Sequence, residues 1–310
     1  KVQANKFLNP QNLAQVAKDT SFIAIMAVGM AVVIISGGID LSVGAIYALA
    51  AVLGALVLRH YGPSGPGAGA SPWLVVPLAA AVCLGTGLLC GLVNGGLIVG
   101  LRMHPFIITL GTMAAFRGIA LVITHGQSIG DFPEQLQHLV KFQIGDGLTF
   151  VPTVVMALVM AAGWIFLSRL AAGRRVYAVG GNETAAKFSG IDVPRVKLGV
   201  YLWSGGTAGL AGLLAMGYYG AASSGDATGY ELNVVAAAVV GGASLSGGRG
   251  SALGAVLGAV IIQMINAGIF TLNIDQNYSQ IITGTVVITA AALDQLNSWL
   301  AARRLARRAE

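Results

Sequence analysis

Gly37-Gly38-Ile39-Asp40-Leu41-Ser42-Val43-Gly44 lies between two long apolar runs and returns, altered, as Gly241-Gly242-Ala243-Ser244-Leu245-Ser246-Gly247-Gly248. The shift is 204 positions, 241 minus 37, and it persists beyond the glycines. Over residues 37 to 57, twelve of twenty-one positions match their partners 204 further on: Gly37, Gly38, Leu41, Ser42, Gly44, Ala48, Leu49, Ala51, Val52, Leu53, Gly54 and Ala55. Irregular backbone at membrane depth is tolerated only where protein buries it or a wet cavity receives it. Glycine-interrupted apolar segments in corresponding places of two halves therefore point to the substrate path of a membrane transporter.

Working outward, 55% of the 310 residues are hydrophobic and 10% charged, with a mean hydropathy of +0.77. A soluble domain carries about a quarter charged residues, so the chain reads as an integral membrane protein. Spanning ~30 Å of hydrocarbon takes about 20 apolar residues as a helix. The candidate segments are Phe22 to Ile35, Leu41 to Leu58, Trp73 to Val99, Phe106 to Thr124, Val151 to Leu170, Leu198 to Tyr219, Asn233 to Val240, Ala252 to Phe270 and Ile281 to Leu300. The first is short and the seventh too short to cross alone, so either is expected as a half-helix ending at its glycine break. No alternating strand pattern suggests a barrel. The expected fold is an all-α polytopic transmembrane bundle forming one permease domain over 1–310, with about nine helical segments here and ten in the full-length protein.

The net charge of +6 is placed unevenly. Ten of eighteen basic residues fall in two places: Arg169, Arg174, Arg175, Lys187, Arg195 and Lys197 around one polar stretch, and Arg303, Arg304, Arg307 and Arg308 in a basic tail, 301–310. This is the pattern of cytoplasmic segments rather than of a nucleic-acid binder. The loop from His125 to Gly147 carries Asp131, Glu134 and Asp146 against Lys141 alone, which places it outside. Counting crossings back from it puts Lys1, Lys6 and Lys18 outside, against the charge rule. One more spanning helix before residue 1 would reconcile the count, as the chain begins with Lys and shows no signal peptide.

Gly87, Gly91 and Gly95 recur every fourth residue on one segment, as do Gly250, Gly254 and Gly258 on another. Small residues at that spacing let helix backbones approach closely in lipid, so both stripes read as packing faces. Cys83 and Cys90, seven apart in one run, read as packing residues, and His60, His104, His125 and His138 lack metal-ligand spacing. The stretch from Pro63 to Pro72 reads as a flexible connector. No nucleotide fingerprint, HExxH or Gly-x-Ser-x-Gly pattern is present, which argues against an enzyme.

Ionisable residues at membrane depth are costly, and Asp40 and Arg117 stand out. They are expected to face a hydrated path and to pair, or else to fix helix register. Ser42, Asn94, Thr109, Thr112, Asn233, Gln263 and Asn266 add uncharged donors and acceptors suited to a polyhydroxylated solute. The polar stretch 173–197 predicts a helix of under two turns, capped by Asn182 on the Ala185 N–H, with Glu183 at its positive end and Gly190 as a left-handed exit. That helix would present Ala185, Ala186 and Phe188 to a cytoplasmic partner.

At these residues the chain resembles the permease subunit of sugar ABC importers of the ribose, xylose, arabinose and galactose type, a family that includes autoinducer-2 permeases. The matching stretches are Val33 to Gly44; Pro105 to Met113 with Phe116-Arg117-Gly118; Tyr177 to Ala186 with Ser189-Gly190-Ile191; and Gly241 to Gly250. The resemblance implies two copies of the permease, a cytoplasmic ABC ATPase that holds the ATP and Mg, and a periplasmic sugar-binding protein. It places the chain in the bacterial inner membrane as a multi-pass protein with a cytoplasmic C-terminus, binding no cofactor or metal itself. It makes the loop 173–197 the coupling element gripped by the ATPase, through Arg174, Arg175, Asn182, Glu183, Ala185, Ala186, Phe188 and Gly190. A permease for branched-chain amino acids, nucleosides or autoinducer-2 is the alternative, and a stand-alone carrier is a third.

Overall fold

The computed structural model describes residues 9–144 and 148–272, then isolated positions and short stretches between 274 and 292. Its helices are α1 (Pro10–Ile35), α2 (Val43–His60), α3 (Pro72–Leu101), α4 (Pro105–Thr124), α5 (Glu134–Val140), α6 (Val151–Arg169), α7 (Ala171–Gly181), α8 (Glu183–Phe188), α9 (Val193–Tyr219), α10 (Tyr230–Val240) and α11 (Ala252–Thr271). A two-residue hairpin, β1 (Gln143–Ile144) and β2 (Leu148–Thr149), precedes α6. Among the described residues seven helices, α1, α2, α3, α4, α6, α9 and α11, are long and apolar enough to cross a membrane. The tail 301–310, most of 281–300, and Lys1 and Lys6 lie outside the described residues.

Helix α1 is the axis. Every residue from Phe22 to Ile35 is buried, enclosed by α6, α9, α10 and α11. The first expected segment is thus a full 26-residue helix rather than a half-helix. An apolar-run reading misses its start, because the first turns carry Gln11, Asn12, Gln15, Lys18 and Asp19. Asn9 caps it by accepting the Gln11 N–H at 3.2 Å, and Pro10 supplies a preset first residue. Lys18, though buried, is neutralised by Asp19 at 2.7 Å and sits 4.2 Å from the Tyr218 ring.

Contacts along α9 fix the directions. Phe22 stacks near Tyr219 at one end while Gly29 abuts Ser204 and Thr207, so α1 and α9 are antiparallel. Gly87 meets Gly205, Gly91 meets Tyr201 and Gly95 meets Leu198, so α3 is antiparallel to α9 as well. Tyr47 lies against Gly212 and Gly54 against Met216, so α2 runs parallel to it. The first glycine stripe therefore packs as expected. In the second, Gly254 and Gly258 press on Gly241 and Ala237, but Gly250 lies outside α11 with φ +146. The outward faces of α3, α4 and α6 stay apolar, Trp73, Val122 and Leu158 among them, as lipid-facing helices require.

The sequence repeat survives as two similar helix exits, the left-handed glycine falling one position later in the second copy, since Gly242 is the counterpart of Gly38. Gly37 (φ +82) and Gly242 (φ +92) turn left-handed, and the following N–H groups of Gly38 and Ala243 bond back to the Val33 and Ala238 carbonyls. The copies then diverge. Helix resumes at Val43 in the first and only at Ala252 in the second, where Gly247, Gly248 and Gly250 all have positive φ.

The stretch 173–197 is mostly helical instead of a loop. Gly173, Val176 and Val179 form a buried stripe on α7, while Arg174 and Arg175 face outward. Pro63 to Pro72, expected as a flexible connector, is a run of turns tied by the Gly67 N–H to the His60 carbonyl at 2.9 Å and the Ser64 N–H to Asp131 at 3.3 Å.

A Cβ at Gly205 would strike the Gly87 carbonyl, whereas one at Gly85 meets nothing within 4 Å. Gly205→Val should therefore cost about 1–3 kcal/mol or more by forcing α3 from α9, and Gly85→Ala should cost nothing. Thermal unfolding of both variants in detergent, followed by size-exclusion chromatography, checks this; equal midpoints would contradict the backbone crossing.

Candidate functional site

Residues 36–42 leave the end of α1 and climb back into the bundle without helical structure. Their destination is the level of Ser204, the twelfth of the 27 residues of α9. There the Asp40 carboxylate is fully buried. Its Oδ1 accepts the Ser42 N–H at 3.0 Å and the Ser42 hydroxyl at 2.6 Å, and its Oδ2 accepts the Ser204 hydroxyl at 2.8 Å. Asn94 on α3 donates to the Ser42 oxygen at 2.7 Å and more distantly to Asp40 at 3.5 Å. The Ile39 carbonyl accepts from Tyr201 on α9 at 3.1 Å and from Thr109 on α4 at 3.4 Å. Thr112 bonds the Thr109 carbonyl one turn below.

Hydrogen bonds to a charged group contribute roughly 1.5–3 kcal/mol each, and a buried carboxylate needs several of them. The cluster ties three helices to one non-helical stretch. Of the expected path residues it unites Asp40, Ser42, Asn94 and Thr109, with Thr112 adjoining. Asp40 is fully enclosed by these groups instead of facing a hydrated path. Among the described residues the buried Asn94 Oδ1 has no partner.

Arg117 does not pair with Asp40. It is the thirteenth of twenty residues in α4, and its guanidinium reaches the second non-helical segment, Gly220 to Gly229. One terminal nitrogen donates to the Ser224 carbonyl at 2.8 Å and to the Asp226 carbonyl, and the other meets Glu231 at 3.3 Å. The planar guanidinium fork suits a segment that turns twice and offers carbonyls in two directions. The remaining expected residues stand apart: Asn266 bonds Gln263 at 3.5 Å and accepts from Ser279 at 2.7 Å, and Asn233 is half-buried on α10.

At the end where α1 stops, α7, α8 and the turn after α10 converge. Gly180 packs directly on the Ile35 carbonyl, which also accepts the Gly248 N–H at 2.8 Å. Burial pushes the Tyr177 hydroxyl up, keeping it a neutral donor to the Gly250 carbonyl at 2.8 Å. The Asn182 side chain accepts the Ala185 N–H at 2.9 Å, Gly190 exits at φ +81, and Glu183 bonds Lys197 through both oxygens at 2.9 Å. Ala185 and Phe188 are exposed, Phe188 by 87%, but Ala186 is buried against Val179 and Val193 and is not presented. A helix this short has one inward position, and Ala186 occupies it. A cavity of about 490 Å³ opens between α8 and the Asp40 stretch, lined by Gly37, Gly38, Arg102, His104, Lys197 and Tyr201.

Among the described residues no three His, Cys, Asp or Glu side chains converge as a metal site requires. Cys83 donates to the Ala50 carbonyl at 3.3 Å inside the core, and the four histidines are exposed.

The chain matches, over residues 12–291, the family model described as branched-chain amino acid transport system / permease component. It belongs to that permease family. The Ribose import permease protein RbsC of Escherichia coli strain K12 is 37% identical over 290 residues, 93% of this chain and 87% of its own. The D-allose transport system permease protein AlsC of the same strain is 36% identical over 293 residues, 94% of this chain and 86% of its own. The Galactose/methyl galactoside import permease protein MglC of Haemophilus influenzae is 35% identical over 298 residues, 94% and 88% of the two chains. No solved structure matches. The family places the chain among multi-pass membrane proteins and transport subunits.

Sequence reasoning missed Ser204, Tyr201 and Glu231. Ser204 and Tyr201 sit in an apolar run where nothing separates them from other small or aromatic residues. Glu231 was legible: an acid in the first turn after Gly229 marks a helix start, but the expected segment began at Asn233.

Arg117→Met would leave Glu231, 10% exposed at its side chain, without a counter-charge. Folded yield should fall severalfold and recover in part when Glu231→Leu is added, since an unpaired buried charge costs more than an absent pair. Identical yields for the single and double variants would show that the ion pair carries no weight.

Proposed function

We propose that this chain is the transmembrane permease subunit of an ATP-driven importer that moves a monosaccharide across the bacterial inner membrane by alternating access. The observation that carries the reading is similarity, over more than nine-tenths of the chain, to permease proteins named for ribose, allose and galactose. In this reading the protein is a single permease domain over 1–310, and two copies form the path. A periplasmic binding protein delivers the sugar, and a cytoplasmic ABC ATPase supplies the ATP and Mg chemistry, which leaves this chain without a catalytic role or cofactor of its own.

Charge supports the orientation. Of the twelve basic residues described, Arg102, Arg169, Arg174, Arg175, Lys187, Arg195, Lys197 and Arg249 lie at the Ile35 end, and only Lys18, Arg59 and Lys141 at the Tyr219 end. The Ile35 end is accordingly cytoplasmic, as is the C-terminus with its basic tail. The stretch 173–197 is then the coupling element, with Asn182 and Gly190 shaping α8, Arg174, Arg175, Glu183, Ala185 and Phe188 offered to the ATPase, and Ala186 holding the knob to the bundle. We assign Asp40, Ser42, Asn94, Thr109, Thr112 and Arg117 to the frame of the path, and Asn233, Gln263 and Asn266 to its more accessible wall. We assign Gly37 to Gly44 and Gly241 to Gly248 as the glycine breaks of its helices, with 220–229 as a further non-helical segment.

The family description names branched-chain amino acids, whose carboxylate calls for a fixed cation in the path. Arg117, the cation within α4, is already engaged by two carbonyls and Glu231. That engagement favours an uncharged, hydroxyl-rich solute.

Proteoliposomes holding the permease with its ATPase and binding protein should take up sugar only with ATP, and the permease alone should take up none. Phe188→Ala and Glu183→Arg should keep ATP hydrolysis while lowering uptake about tenfold or more. Uptake by the permease alone, or undiminished coupling in both variants, would refute the assignment.

A further inference from the structure

At the Tyr219 end, the second non-helical segment, α2 and α9 enclose a separate cavity of about 210 Å³. Its floor is rigid, because Arg117 holds the Ser224 and Asp226 carbonyls from below. Its rim is fixed by Ile129 and Ala222, which exchange backbone hydrogen bonds at 2.8 and 2.9 Å.

The lining is aromatic and acidic. Tyr47, 5% exposed, faces it with Tyr230, their ring centres 6.3 Å apart, and Tyr219 stands beside them. Among the described residues the hydroxyls of these three tyrosines make no hydrogen bond to the protein, and none of them is sealed in the interior, so they are free to meet a ligand in the cavity. Asp226 spends Oδ2 on the Ser223 N–H at 2.8 Å, and among the described residues Oδ1 has no protein donor.

We propose that this cavity is a monosaccharide subsite at the outer mouth of the path. The inference rests on the sugar-import reading and deepens it. A sugar ring offers apolar C–H faces to aromatic rings and hydroxyl donors to a carboxylate, and it satisfies phenolic hydroxyls that act as both donor and acceptor. An amino acid could set its ammonium on Asp226 but would find no free cation for its carboxylate, since Arg117 is already engaged by two carbonyls and Glu231. The volume lies below the ~300–1,000 Å³ of sites for drug-sized ligands and suits a single sugar ring. The site is half open and binds weakly, as a resting place for solute in transit must.

The test uses the purified full chain in nanodiscs, with saturation-transfer NMR on ribose, allose and galactose, and leucine as the competing class. The sugars should receive saturation at millimolar concentration and leucine none. Tyr47→Phe keeps the ring and Asp226→Asn keeps an acceptor for the Ser223 N–H; each should weaken sugar binding about tenfold, the loss of one strong hydrogen bond. Hydrogen exchange of residues 220–230 in the unaltered protein should slow on adding sugar, a readout independent of any variant's folding. Unchanged exchange, or undiminished sugar binding in folded variants, overturns the subsite. If the same preparation still imports sugar with its ATPase and binding protein, the transport reading survives that loss. Saturation of leucine in place of the sugars overturns both.

Discussion

Backbone amides and carbonyls in a water-free interior must find partners inside the protein, and the rest of this structure answers to that demand. Helices meet it by themselves. Residues 36–42 do not, and are held by side chains sent from neighbouring helices; residues 220–229, partly exposed at the other end, are held by their own turns and by Arg117. Asp40 with Ser42, Asn94 and Ser204 braces the first, where Tyr201 and Thr109 meet the Ile39 carbonyl. Arg117 braces the second. The two solutions are complementary: an anion gathers donors in one place, and a cation gathers carbonyls in the other.

A second consequence is the prevalence of glycine where helices cross. The braces reach their targets only if α3, α9 and α2 lie close together, and Gly87, Gly91, Gly205 and Gly212 remove the side chains that would hold them apart. Hydrophobic burial does not drive such crossings in lipid, so close van der Waals contact takes its place. Polar clusters and glycine stripes are thus parts of one arrangement, the stripes setting distances that the clusters require.

Much of this was legible in the sequence, and the failures have physical causes. Long apolar runs, the capped turn at Asn182 and the left-handed Gly190 are local signals, and local chemistry determined them. Partner choice was not local: Asp40 and Arg117 looked like mates because both are rare charges in apolar surroundings, yet each found neutral dipoles or a nearer opposite charge. The start of α1 was hidden because its polar first turns are neutralised by Asp19 and by the Tyr218 ring, contacts invisible in sequence. Gly250 kept the spacing of its stripe without its helix, since three positive-φ glycines precede Ala252.

The contact between Gly180 and the last carbonyl of α1 sets how force travels through the molecule. Side chains absorb small displacements by changing rotamer, and here none stands between the two backbones. Any displacement of the short α7 would therefore bear on the end of the central axis through backbone alone, with no rotamer between them to take it up.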